Sequence, residues 1–178
     1  MATRSLLLAV AVVLLSSPPS GAQEVGQIGV TLAYPAAIGV VWHVTDQLAI
    51  RPDFSFSNSS SDTLGSSTTV NYGVSGLWYF QRWDNLRAYV SPRFGYSRFS
   101  ASISTTVLSS APTTNAYSGA GSFGLQYRLH DRLSVFGETG LQYNHASTTS
   151  TDVATGTSDS TSAHTWSTRA GVGMIFYF

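Results

Sequence analysis

The chain contains no cysteine and no lysine: its nine basic residues are all arginine, they balance nine acids, and only 10% of the 178 residues are charged. Without cysteine, neither a disulfide framework nor a lipidated cysteine behind an export signal is possible. Stability in an oxidising compartment then has to come from burial or from closing a sheet on itself. A formal net charge of +0 gives no electrostatic case for nucleic acid or for a polybasic contact with a lipid surface. Long apolar runs are also missing. Ser5 to Leu15 (SLLLAVAVVLL) is apolar but well short of the roughly 20 residues a spanning helix needs, and no second run of spanning length follows it.

That first run is instead the middle of an export signal. Met1 to Arg4 supply a short positive start, Ser5 to Leu15 the apolar region, and Ser16 to Ala22 (SSPPSGA) a breaker followed by small residues. The expected cut falls after Ala22, with Ser20 at the minus-three position, so residues 1–22 are a signal peptide and residues 23–178 one domain.

The rest of the chain alternates with a period of two, the mark of strands with two different faces. The last stretch shows it most fully: Thr168, Ala170, Val172, Met174, Phe176 and Phe178 form one face, and Ser167, Arg169, Gly171 and Gly173 the other. The same rhythm runs through Ile28–Tyr34, Ile38–Val44, Leu48–Asn58, Val70–Phe80, Leu86 to about Ser102, Ala116–His130 and Leu133–Asn144. Pro52 lies inside the third segment, where it cannot donate to a ladder, so a local irregularity is expected there. Short turns at 45–47, 82–85 and 131–132 alternate with long polar connections at 59–69, 103–114 and 147–162. The last connection has 11 Ser or Thr among 16 residues and lacks the apolar content to fold alone.

Eight alternating segments joined by alternately short and long connections predict an all-β fold, an eight-stranded antiparallel up-and-down transmembrane β-barrel. A soluble barrel would alternate too, so the composition of the faces has to decide. The outward positions in the central part of each segment carry no Asp, Glu, Arg or His, whereas a basic residue at mid-depth on a lipid face would cost about 2–4 kcal/mol. Aromatics gather at two levels. Trp42, Trp78, Phe80, Tyr127, Phe176 and Phe178 lie toward the short turns, and Tyr34, Phe56, Tyr72, Tyr96, Tyr117, Tyr143 and Trp166 toward the long connections.

With its exported start, eight-strand rhythm and terminal Phe178 preceded by alternating apolar residues, the chain resembles the small OmpA/OmpX-type outer-membrane β-barrel family. The likeness is one of pattern over about 150 residues, without an identity-level motif. It implies a Gram-negative outer-membrane location reached through the periplasm. It also implies outer-membrane lipid as surroundings, a monomer, and a C-terminal strand whose Phe176 and Phe178 are read by barrel-assembly machinery.

The inward face holds Arg51, Asp53, Arg93, Arg128, Glu138 and Arg169, with His43 in phase. Unpaired ions in so narrow a space are costly, and arginine can bridge carboxylates bidentately. The expectation is a plugging ion-pair network of Arg51, Asp53, Arg93, Glu138 and Arg169, in which two carboxylates serve three arginines. His145-Ala146-Ser147 has the His/Ser spacing of barrel-wall lipid A deacylases, but an activated serine needs a base oriented by a third group, and residues 163–178 contain no acid. His145 and His164 flank one connection without a spacing specific for a metal. Gly119, Gly121 and Gly124 satisfy GxGxxG in mid-strand, where no phosphate cradle forms. The sequence thus predicts a non-enzymatic structural barrel without a cofactor, with Ser/Thr-rich external loops suited to surface interaction. A lipid A-modifying esterase at His145/Ser147 and a narrow low-conductance channel are the alternatives.

Overall fold

The computed structural model describes residues 25–35, 37–61, 65–104, 109–110, 112–151 and 157–178, so the expected signal peptide and its cleavage site lie outside the described residues. Eight long strands follow one another: β1 Ile28–Tyr34, β2 Ala37–His43, β3 Leu48–Ser61, β4 Gly65–Trp83, β5 Leu86–Ser104, β6 Thr113–His130, β7 Leu133–Thr151 and β8 Ser158–Tyr177. Each pairs antiparallel with its neighbour in sequence, and β1 pairs with β8, from Gly29↔Tyr177 to Tyr34↔Val172, to close the barrel. A two-residue ladder, Ser109–Ser110, adds to the end of β5.

The period-two pattern settles which face is which. Trp78, Phe94, Leu141 and Val172 are all more than half exposed on the outside, while Leu77, Tyr79 and Ile175, in the opposite phase of their strands, are fully buried within. Along the outer wall, ring contacts join Phe54 to Tyr72, Tyr96 to Tyr117 and Tyr143 to Trp166, with centroids 5.2–5.3 Å apart, forming the upper aromatic level. Phe80 and Phe123 meet at 6.2 Å in the lower one. Among the described residues, the exposed charges sit beyond these levels, at Asp46, Arg82, Asp84 and Asp131 on one side and Arg98 and Asp159 on the other.

The irregularity expected at Pro52 is present. Pairing of β2 with β3 jumps from Gly39↔Asp53 to Trp42↔Ile50, so the ladder is interrupted beside the residue that lacks an N–H. Pro92 has the same effect between β4 and β5, where pairing jumps from Ser75↔Arg93 to Trp78↔Val90.

The long connections are shorter than the sequence suggests. Ser59–Ser61 and Gly65–Thr69 continue the β3–β4 ladder, and Ser147–Thr151 pairs with Ser158–Ser162 in β7–β8. Polar composition removes the hydrophobic reason to fold but not the backbone ladder, and β-branched threonine suits an extended chain. Hydroxyl pairs across the strands reinforce the extension, including Ser66–Ser102 at 3.0 Å, Thr114–Thr148 at 2.8 Å and Thr151–Ser158 at 3.1 Å.

The walls end at unequal heights. β1 and β2 have 7 residues each, whereas β7 has 19 and β8 has 20. Among the described residues, β8 pairs with β7 alone before Val172, and β3 pairs with β4 alone beyond Phe54. Above the β1–β2 turn the wall is therefore notched, with open strand edges on both sides.

Candidate functional site

The interior divides into three levels. At the short-turn end Val41, Ala49, Leu77, Tyr79, Tyr89, Phe136, Ile175 and Tyr177 pack into one cluster. These are inward positions of five or more strands, brought together because an eight-stranded barrel is narrow enough for side chains to meet across it. Their polar tips are tied together. The Tyr79 hydroxyl donates to Gln126 Oε1 at 2.7 Å, Gln126 Nε2 donates to the Tyr177 hydroxyl at 3.0 Å, and His43 Nε2 lies 3.2 Å from that hydroxyl. The His43 ring stacks on Tyr79 with centroids 5.6 Å apart. His43 thus lies on the inward face that its sequence phase indicates, as part of an aromatic floor.

Above the floor lie two ion pairs. Arg51 Nη2 donates to Glu138 Oε1 at 2.5 Å, the Tyr89 hydroxyl donates to the same oxygen at 2.8 Å, and the guanidinium rests 4.8 Å from the centre of the Phe136 ring. Arg93 grips Asp53 with both terminal nitrogens, Nη2 reaching Oδ1 at 2.6 Å and Nη1 reaching Oδ2. Nη1 also approaches Ser75 Oγ at 3.4 Å. Gly73 makes room for this fork, because a Cβ there would collide with the Arg93 guanidinium. Gly124 does the same for the Tyr89 ring, whereas Gly119 and Gly121 border open space. The sequence motif containing these three glycines therefore has one member at a crowded wall, and no phosphate cradle.

The expected network needs one correction. Two carboxylates do not serve three arginines: the pairs are Arg51–Glu138 and Arg93–Asp53, and Arg169 forms no ion pair among the described residues. Paired bidentately, Asp53 has spent both oxygens, and Glu138 Oε1 already accepts from Arg51 and Tyr89. Arg128, also on an inward position, lies at the short-turn end, where its Nη2 donates to Asn85 Oδ1 at 3.2 Å.

The third level is a vestibule of about 420 Å³, open toward the long hairpins and lined by Arg51, Arg93, Arg169, Asp53, Glu138 and Tyr34 among others. Three guanidiniums face two carboxylates across it. Arg51 Nη1 and Arg169 Nε are buried without a hydrogen-bond partner among the described residues.

His145 and Ser147 point outward on β7, opposite Tyr117 and Asn115 of β6. The His145 ring stacks on His164 with centroids 5.8 Å apart, and no side-chain hydrogen bond joins it to Ser147 among the described residues. No group of three or more metal-ligating side chains occurs among the described residues. Phe176 lies on the outer wall of β8, and Phe178 N donates to Ile28 O at 3.1 Å, which ties the chain end to β1.

An apolar cylinder with a tied polar interior has the architecture of the eight-stranded outer-membrane barrels. A major outer membrane protein from Thermus thermophilus has the same fold. It aligns with a TM-score of 0.60 at 14% identity, over 85% of this chain and 98% of that one. Acinetobacter baumannii CarO2 aligns with a TM-score of 0.44 at 10% identity, over 88% of this chain and 100% of that one. Acinetobacter baumannii CarO gives 0.40 at 11%, over 86% and 97%. No protein-family model matches the sequence, and no curated protein matches it.

Proposed function

We propose that the chain is a structural barrel of the Gram-negative outer membrane, monomeric and non-enzymatic, closed to solute flow and presenting its long hairpins to the exterior. One observation carries this reading: between the two aromatic levels the outer wall is apolar and free of charge, and six of the eight strands are longer than the roughly 9–11 residues a bilayer requires. Within that span Arg51, Asp53, Arg93 and Glu138 lie inside as two ion pairs. Export through the periplasm and delivery to the assembly machinery by the strand ending in Phe176 and Phe178 belong to the same reading.

The open edges above the β1–β2 turn support the surface-interaction part of it. From Ser158 to Gly171 one side of β8 has no strand beside it among the described residues, and an unpaired edge is a template for an added strand. The aromatic floor argues against the channel alternative, since Tyr79, Tyr89, Phe136 and Tyr177 cluster across the narrow bore. The esterase alternative lacks an oriented base at His145.

An epitope tag inserted between Thr151 and Thr157 tests location and orientation together. Antibody labelling of intact cells is expected, with a membrane-fraction band that migrates differently before and after boiling. Labelling only after permeabilisation would overturn the proposal, and altered lipid A in a Ser147→Ala strain would restore the enzyme.

A further inference from the structure

The vestibule is built with more cation than it can use internally. Asp53 is fully engaged by Arg93, Glu138 is held by Arg51 and Tyr89, and the lining still contains Arg169. Arg51 is only 4% exposed, yet its Nη1 has no protein partner among the described residues, and neither does Arg169 Nε. Buried guanidinium N–H groups left unsatisfied are expensive, so their natural complement is an oxyanion. We infer that the vestibule is an oxyanion site, taking a phosphate or carboxylate between Arg169 and Arg51.

The shape of the wall says how such a group arrives. The cavity is lined on its low side by Tyr34, Pro35 and Ala37, at the top of the β1–β2 hairpin, directly under the notch. A strand of 7 residues tilted by about 40° climbs only roughly 18 Å, less than the apolar band of about 25 Å. The low rim therefore ends roughly 7 Å below the top of that band, and the vestibule opens sideways there toward the outer leaflet. The oxyanion can be a solute entering from above or the phosphate of a lipid headgroup entering over that rim. Both would meet the same two arginines. The volume of about 420 Å³ admits a headgroup or a small phosphorylated or carboxylated solute, and the aromatic floor stops either from going further.

The side-chain Nε–H resonance of Arg169 reads the site directly in the full chain folded in uncharged maltoside micelles. Titrating inorganic phosphate is expected to move that resonance saturably. Arg169→Gln, followed through the Arg51 side-chain resonance instead, is expected to weaken phosphate binding at least about tenfold, in keeping with the loss of charge-assisted hydrogen bonds. Arg132→Gln, at the short-turn end, should leave it unchanged. A shift with phosphate identifies an aqueous source. A shift seen only in bicelles doped with phosphatidic acid identifies a lipid one. No response to either probe, or equal binding by Arg169→Gln, overturns the inference. If Arg169→Gln does not fold, as judged by gel mobility before and after boiling, the resonance of the unsubstituted chain alone decides. A barrel located in the outer membrane but silent to both probes would refute the site and leave the proposed function standing.

Discussion

Glu138 is the acid on which the buried half of the interior depends. Its side chain and that of Arg51 are 3% and 5% exposed, so removing the carboxylate charge strands a guanidinium away from water. Glu138→Gln should cost about 3–5 kcal/mol in urea unfolding, the range for breaking a buried pair from one side. Arg51→Met combined with Glu138→Leu should recover most of that loss, because no unpaired ion remains; an equal loss in the double variant would show that the pair matters for shape and not for charge. Gly73→Ala should likewise destabilise the barrel by about 1–3 kcal/mol by driving Arg93 off Asp53, while Gly119→Ala, whose Cβ meets nothing, should be neutral. Equal effects at the two glycines would sink this. The inward phase of Arg51, Asp53, Arg93, Glu138 and Arg169 was legible from alternation alone. Their pairing was not, because register across neighbouring strands decides which guanidinium reaches which carboxylate. Phe136, Ile175 and Tyr177 were missed for a different reason. They are apolar residues on the inner face, and a polar-in, apolar-out reading has no place for them, although a narrow barrel must fill one end with something.

At the scale of strands, the apolar portions were read within a few residues, and the hairpin ends were not. Leu48–Asn58 and Leu133–Asn144 announce themselves by alternating Leu, Phe, Val and Tyr. Ser147–Thr151 and Ser158–Ser162 show no alternation, because both faces lie beyond the apolar band and hydroxyls serve equally on either. This has a consequence for truncation. Removing residues 149–160 from the β7–β8 hairpin should leave a barrel that still changes mobility on boiling, since the deleted pairs bury no apolar side chain; loss of that shift would mean the hairpin helps to hold the barrel together. The end of β8 should behave in the opposite way. Deleting Phe178 removes an outer-wall aromatic and a backbone bond to Ile28, and the expected result is reduced outer-membrane yield in cells with refolding in detergent retained. Unchanged yield would deny Phe178 a part in assembly.

For the whole molecule, the two faces of the cylinder fix its solvent. The outside is apolar between aromatic levels, the lower interior is packed with aromatics, and the upper interior is charged and cup-shaped. Planar-bilayer recordings of the purified barrel should therefore show no stepwise conductance, and discrete steps would mean that the floor of Tyr79, Tyr89 and Tyr177 opens. The absence of cysteine from the chain permits the most direct measurement, a scan of single spin-labelled cysteines through residues 139–143 of β7 in lipid vesicles. Labels at Thr139, Leu141 and Tyr143 should be relaxed strongly by oxygen, which concentrates in hydrocarbon, and that at Gln142 should be protected from it; Gly140, where any side chain would meet the β6 backbone, is left unlabelled. An inverted pattern, or oxygen accessibility without a period of two, would contradict the assignment of the outer wall to the bilayer.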